Sequence, residues 1–160
     1  MPTHQQPHFV NNSERVIEAL KAKKLKVIVA DDSPFNVNLV SKFCYKFGAQ
    51  IIAATGDGKS AYQKYIQSIK NGSPVDVVTL DIDMPIMDGK EACEKIREYE
   101  EEHLLKPAIG LLISGNYETQ QVANLIGDGY NRKEDCFIRK PLIFSEFYWS
   151  LYKYAYHVEA

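Results

Sequence analysis

Four short stretches of this 160-residue chain carry residues capable of chemistry: Asp31-Asp32, Asp81, Ser114 and Lys140-Pro141. Each stands where an apolar run stops. LKVIVA (25–30) ends at the acid pair, VDVVTL (75–80) at Asp81, AIGLLI (108–113) at Ser114 and CFIR (136–139) at Lys140. If the runs are parallel strands, all four sites share one edge of one sheet. That carboxyl edge is where open α/β sheets bind ligands. Carboxylates, a hydroxyl and a lysine converging there imply a magnesium-dependent phosphoryl site.

The chemistry follows from charge. Adjacent acids leaving a buried strand are costly without a compensating cation. Asp31 and Asp32 with Asp81 meet the preference of Mg²⁺ for one or two carboxylates, several waters and a phosphoryl oxygen. A carboxylate can itself accept a phosphoryl group as an acyl phosphate. A metal offsets the repulsion between an anionic nucleophile and an anionic donor. The transferring oxygens then need donors, and the Lys140 ammonium and Ser114 hydroxyl are placed to supply them. Taken singly, an acid pair at a helix start is a cap, a strand-end serine a turn residue and a lone lysine a surface group. At four successive strand ends they point to one site.

The elements that must position these residues alternate strand and helix from Leu25 onward. QIIAAT (50–55) supplies the second of five strands. Ser33 as N-cap with Pro34 at the first helical position starts a helix. Its apolar face is Val37, Val40, Phe43, Cys44 and Phe47, and Gly48 ends it. Further helices are expected over 58–70, from Asp88-Gly89 to about His103, from Asn116 to near Gly127, and from Ser145 to about His157. Nearly all-apolar first, third, fourth and fifth strands imply a parallel sheet covered on both faces. Residues 1–24 are expected as a tail or linker, with a short helix from Ser13 to about Lys23. One domain would then occupy 25–160.

Composition narrows the class. Hydrophobic content of 45% and charged content of 25% are those of a soluble globular protein. A net charge of −2 with both signs interspersed excludes a nucleic-acid surface. The densest basic run, Lys21, Lys23, Lys24 and Lys26, reads as a solvated helix end. Three widely spaced cysteines, Cys44, Cys93 and Cys136, fit neither a disulfide framework nor a zinc site. Reduced buried thiols in a cytoplasmic protein are expected. No apolar stretch reaches the length of about 18 residues that a membrane span requires.

The order Asp31-Asp32, DIDMPIMDG (81–89), Ser114, Lys140-Pro141 resembles the receiver domain of two-component response regulators, over about 25–157. The resemblance implies a flavodoxin-like (βα)5 fold with strand order 2-1-3-4-5. It implies that Asp81 is the phosphoacceptor, and that Asp32 binds Mg²⁺ directly with Asp31 supporting through water. The backbone carbonyl of Asp83 would complete the protein ligands. Ser114 and Lys140 would hold the phosphoryl oxygens, and Phe137 matches the aromatic switch position. Lys140-Pro141 is usually cis in that family. The implied donor is a histidine kinase or a histidine phosphotransfer protein. DDSPFNVNLVSKFCYKFGAQI, with Asn36, looks most like receivers attached to hybrid histidine kinases. The interval from Ser114 to Lys140 is longer than usual, with NRKED (131–135) as the insertion. Asp83 and Asn116 stand where the lifetime of the acyl phosphate would be tuned. With no room for a DNA-binding domain after residue 157, output is expected from a partner or parent chain.

Two other phosphate chemistries fit less well. Gly58-Lys59-Ser60 lacks the earlier P-loop glycine, since position 53 is Ala53. It reads as a turn into a helix. Asp81-Ile82-Asp83 resembles the nucleophile of haloacid-dehalogenase-type phosphatases, but that family places its acid pair after the lysine. A receiver-like module that binds partners without chemistry is the remaining alternative. In the last helix Phe144, Phe147, Leu151, Tyr154 and Val158 trace a core stripe, and Tyr148, Tyr152 and Tyr156 trace a second. That second stripe implies a partner or homodimer contact, or half-buried tyrosines with wet hydroxyls.

Overall fold

The computed structural model describes residues 12–115 and 135–156. Five parallel strands form one sheet: β1 (Lys26–Ala30), β2 (Gln50–Thr55), β3 (Val77–Asp81), β4 (Ile109–Ser114) and β5 (Asp135–Arg139), in the order β2-β1-β3-β4-β5. The strand order is the one expected. Five helices are described: α1 (Asn12–Lys23), α2 (Pro34–Lys46), α3 (Gly58–Lys70), α4 (Gly89–Glu102) and α5 (Phe144–Ala155). The helix expected over 116–127 lies outside the described residues, as do Asn116 and positions 131–134 of the NRKED stretch.

Strand side chains alternate between two cores. Val27, Val29, Val77, Leu111, Ile113 and Ile138 face a cluster shared with α1, α2 and α5. Ile28, Ala30, Val78, Leu80 and Leu112 face a cluster shared with α3 and α4. A sheet buried on both faces produces the near-continuous apolar runs of its strands. The edge strand β2 is the exception, with exposure alternating along it.

Local sequence sets the helix ends. Asp57 and Asp88 cap α3 and α4, their carboxylates accepting from Ser60 N–H and Glu91 N–H, each at 2.7 Å. Asp57 therefore makes the Gly58-Lys59-Ser60 stretch a capped helix start. Gly48 takes φ +69°, in the left-handed region, and ends α2 beyond Phe47. Ser33 is the N-cap of α2, but its hydroxyl makes no cap hydrogen bond. Its own N–H instead donates to Asp31 Oδ1 at 2.9 Å, so the helix start is tied to the acid pair. The last helix starts at Phe144 rather than Ser145, and the Phe144 ring lies stacked on Phe47, tilted to Phe43 and edge-on to Tyr148.

Before β1, α1 buries Val16 and Leu20 in the core and lies on α5. Tyr156 Oη donates to the Ala19 carbonyl at 2.7 Å, and Lys23 Nζ sits 4.5 Å from the Tyr156 ring centre. Part of the aromatic surface expected to await a partner is therefore covered by the chain's own first helix. Tyr148 joins the core, while Trp149 stays 44% exposed.

The loop from β3 into α4 is closely packed. Gly89 N–H donates to the Ile82 carbonyl at 3.0 Å. A Cβ on Gly89 would stand 2.2 Å from the Asp81 carbonyl oxygen, a backbone atom that cannot yield. Gly89→Ala is expected to destabilise the fold by about 3 kcal/mol, the upper part of the overpacking range. Chemical denaturation with an unchanged m-value checks it, and a loss below about 0.5 kcal/mol would show that the loop yields instead.

Candidate functional site

The parallel register brings the sequence-separated residues to one edge. Asp31 follows β1, Asp81 ends β3, Ser114 ends β4 and Lys140 follows β5. Carboxylate oxygens of Asp31, Asp32 and Asp81 all lie within 4.8 Å of one another. Asp31 and Asp81 are 4% and 3% exposed, whereas Asp32 is open to solvent. Lys140 Nζ sits 3.3 Å from both Asp31 Oδ2 and Asp81 Oδ1 and spans the two buried acids. The peptide bond between Lys140 and Pro141 is cis.

Each acid has a different setting. Asp31 Oδ1 is held by Ser33 N–H, with Asn36 Nδ2 at 3.5 Å. Asp81 Oδ1 is buried without a hydrogen bond, although the Lys140 ammonium is near. Burial, and then the Asp31 charge, push the Asp81 carboxyl up to about 6, against the pull of Lys140. A buried, under-satisfied oxygen facing two further carboxylates fits a hard divalent cation. The Asp83 carboxylate is exposed and outside this cluster, so any contribution of Asp83 to a cation there rests on its backbone. Its backbone N–H does reach the Asp81 carboxylate.

Ser114 is buried at 4% exposure, and its carbonyl accepts from Lys140 N–H at 2.8 Å. That bond ties the ends of β4 and β5 together. Phe137 is half-buried against the α3–α4 core. Asn116 lies outside the described residues. Cys44 and Cys93 are buried as expected; Cys136 is only half-buried. Burial pushes the Cys44 thiol up to about 12, which leaves it unreactive.

Exposed apolar side chains stand close in sequence to the site residues, one in the first turn of α2 and two in the loops that follow β3 and β5. Phe35 is 74% exposed, Ile86 80% and Ile143 49%. The described cavity of about 440 Å³ opens elsewhere, at the amino edge of the strands between Leu25, Val75, Asp76, Lys106 and Tyr154. The three acids form a notch whose solvent-exposed member is Asp32.

A ridge of buried polar groups escaped the sequence reading: Arg97, Glu100 and Asp135 are each 3–7% exposed. The available signal was positional. Cys93, Ile96, Arg97 and Glu100 share one helical face, and charged residues on an apolar face imply a buried pair.

A parallel five-stranded sheet with an acid notch and a lysine at its carboxyl edge defines a phosphoryl-handling α/β domain. The family model for the response regulator receiver domain matches residues 27–147, and the chain belongs to that family. It is 28% identical to the sensor histidine kinase GacS of Pseudomonas protegens over 125 residues, 78% of this chain and 12% of that one. It is 37% identical to the chemotaxis protein CheY of Treponema pallidum over 105 residues, 64% of this chain and 67% of that one. Among solved structures, a CheX–CheY–BeF3–Mg²⁺ complex from Borrelia burgdorferi aligns with TM-score 0.66 and 29% identity, covering 84% of this chain and 90% of that one. The chain thus spans about an eighth of the length of that sensor histidine kinase. No helix among the described residues is long and apolar enough to cross a membrane.

Proposed function

We propose that Asp81 accepts a phosphoryl group from a phosphohistidine on a histidine kinase or a phosphotransfer protein, and that the domain passes on the change as a signal. The observation that carries this reading is the Lys140 ammonium 3.3 Å from both Asp31 and Asp81, at a sheet edge where three carboxylates meet. An Asp81 oxygen attacks phosphorus, the P–N bond breaks, and its electron pair returns to the imidazole, which takes a proton from water. Lys140 and Ser114 donate to the phosphoryl oxygens as charge moves onto them. Asp32, Asp81 and the Asp83 carbonyl would hold Mg²⁺, with Asp31 behind a water. The ion supplies neutralisation of the anionic reactants.

The partner is expected to seat on Phe35, Ile86 and Ile143 around the notch. The phosphorylation chemistry concerns only the domain's own aspartate, so turnover of a separate substrate is not expected. Asp83 and Asn116 would tune hydrolysis of the acyl phosphate. Residues 25–160 form the receiver unit in this reading, with α1 as an addition folded back on α5. Similarity to the sensor histidine kinase GacS supports a place in a histidine-kinase relay, and a cytoplasmic location belongs to this reading.

The test is incubation with Mg²⁺ and acetyl phosphate, followed by intact mass. One phosphoryl adduct per chain is expected, and absence of any adduct or beryllofluoride response would favour a module that only binds partners. Asp32→Ala separates the two readings independently. It is expected to weaken Mg²⁺ binding at least about tenfold in a calorimetric titration. Unchanged Mg²⁺ affinity would remove Asp32 from the metal site.

A further inference from the structure

Arg97 is 3% exposed in α4. Its Nη1 donates to Glu100 Oε1 at 2.6 Å and its Nη2 to Asp135 Oδ1 at 2.5 Å. Glu100 Oε2 accepts from Tyr65 Oη at 3.0 Å and from Ala108 N–H at 2.6 Å. Cys93 Sγ lies 3.4 Å from Asp135 Oδ1. The neighbouring strand makes room for the pair. A Cβ on Gly110 would come 2.3 Å from Asp135 Oδ1 and 3.0 Å from Arg97 Nη2.

Such a pair is a poor route to stability. Desolvating the charges costs about as much as their attraction returns, and apolar replacements are often neutral or better. Its location suggests a different use. Asp135 is the first residue of β5, and Lys140 follows the strand's last residue. β5 is an edge strand with β4 on one side only. Of its apolar side chains only Ile138 is buried, while Cys136 and Phe137 are half-buried. α4 is rooted in the acceptor loop, where Gly89 N–H donates to the Ile82 carbonyl. Arg97 therefore joins the helix that leaves Asp81 to the strand that delivers Phe137 and Lys140.

We propose that Arg97 is a positioning residue: by holding Asp135 it fixes β5 against α4, and so sets where Lys140 stands relative to Asp81. The inference rests on the phosphoacceptor reading of Asp81 for its consequence, but not for its geometry. The test compares the wild type with the double variant Arg97→Met/Asp135→Leu, in which Glu100 keeps Tyr65 and the Ala108 N–H. Three quantities are read: thermal melting, the rate of phosphorylation by acetyl phosphate with Mg²⁺ well below melting, and acylation of Lys140 by a limiting amine-reactive ester without Mg²⁺. Exposed Lys64, remote in the sequence on α3, is the internal standard for labelling.

The double variant leaves the Glu100 carboxylate buried without its guanidinium partner, so its melting temperature should fall, and the other two quantities are compared well below it. Its phosphorylation should slow by about ten- to a hundredfold, the effect of misplacing a reacting group by about 1 Å. Lys140 labelling should rise severalfold relative to Lys64. A merely structural role would move only the melting temperature. Wild-type rate and labelling in the folded double variant overturn the proposal. Asp135→Asn keeps shape and an acceptor oxygen, and should show both changes to a lesser degree if the double variant fails to fold; wild-type values for it then overturn the proposal. If the wild type itself takes no phosphoryl group, the acceptor reading fails, and the labelling ratio alone decides the positioning role.

Discussion

Asp81→Asn is expected to abolish phosphoryl uptake and, in the absence of metal, to melt at a higher temperature than the wild type at pH 7. Both effects have one cause. The buried Asp81 carboxyl titrates near 6 instead of the ordinary 3.8, raised by burial and by the charge of Asp31. A carboxyl with a folded pKa above its unfolded value favours the fold most when protonated. Its contribution is complete below about pH 4 and is lost as the pH rises through 6. At pH 7 the wild type therefore carries a penalty of about 2–3 kcal/mol, at 1.36 kcal/mol per pKa unit. Asparagine resembles the protonated acid in shape and charge, so the variant escapes that penalty. About 5–10 °C in melting temperature is expected for a chain of this size. The difference should vanish at pH 4, and Mg²⁺ should stabilise the wild type far more than the variant. Melting scans at pH 4 and 7, with and without Mg²⁺, check the sign. A variant less stable than the wild type at pH 7 would mean that Asp81 is compensated in the fold, against the buried and unbonded Oδ1. Retained phosphoryl uptake would assign the acceptor elsewhere.

Lys140→Met should separate cation binding from phosphoryl chemistry. Lys140 lies 3.3 Å from oxygens of both Asp31 and Asp81. Removing the ammonium leaves two buried carboxylates facing each other, so the metal-free variant is destabilised and its Asp81 carboxyl rises further. Mg²⁺ binding should be undiminished or tighter above that pKa, since a competing cation has gone. Phosphorylation by acetyl phosphate should nonetheless fall by about 10²–10³, the loss measured when one preorganised donor to a developing oxyanion is removed. The two measurements are a Mg²⁺ titration by Trp149 fluorescence and the initial rate of adduct formation by mass. A rate within threefold of wild type, allowing about a factor of 3 for experimental spread, would show that Lys140 only balances charge in the resting protein.

The acid notch was legible because its parts end apolar runs. A residue at the carboxyl end of a buried parallel strand has nowhere to stand but the sheet edge, so Asp31, Asp81, Ser114 and Lys140 could be grouped before any distance was known. The capped helix starts at Asp57 and Asp88 were equally local, each an acid three residues ahead of the N–H it accepts. Ser33 is the N-cap expected, but its hydroxyl makes no cap hydrogen bond, and its N–H donates to the Asp31 carboxylate. The docking of α1 could not be read from residues 13–23 alone, because an amphipathic helix states that it has an apolar face and not what covers it. The cover is α5, through Tyr156 and Ala19.

From the sequence by itself came the parallel sheet and the edge on which the acids and the lysine gather, since periodicity and strand-end residues are properties of neighbouring positions; the strand order came with the family resemblance. The tertiary structure alone decided which acid is buried, that one lysine spans two carboxylates, and that Arg97 meets Asp135. Those depend on residues 38 to 109 positions apart, whose meeting and desolvation exist only once the sheet has closed its register.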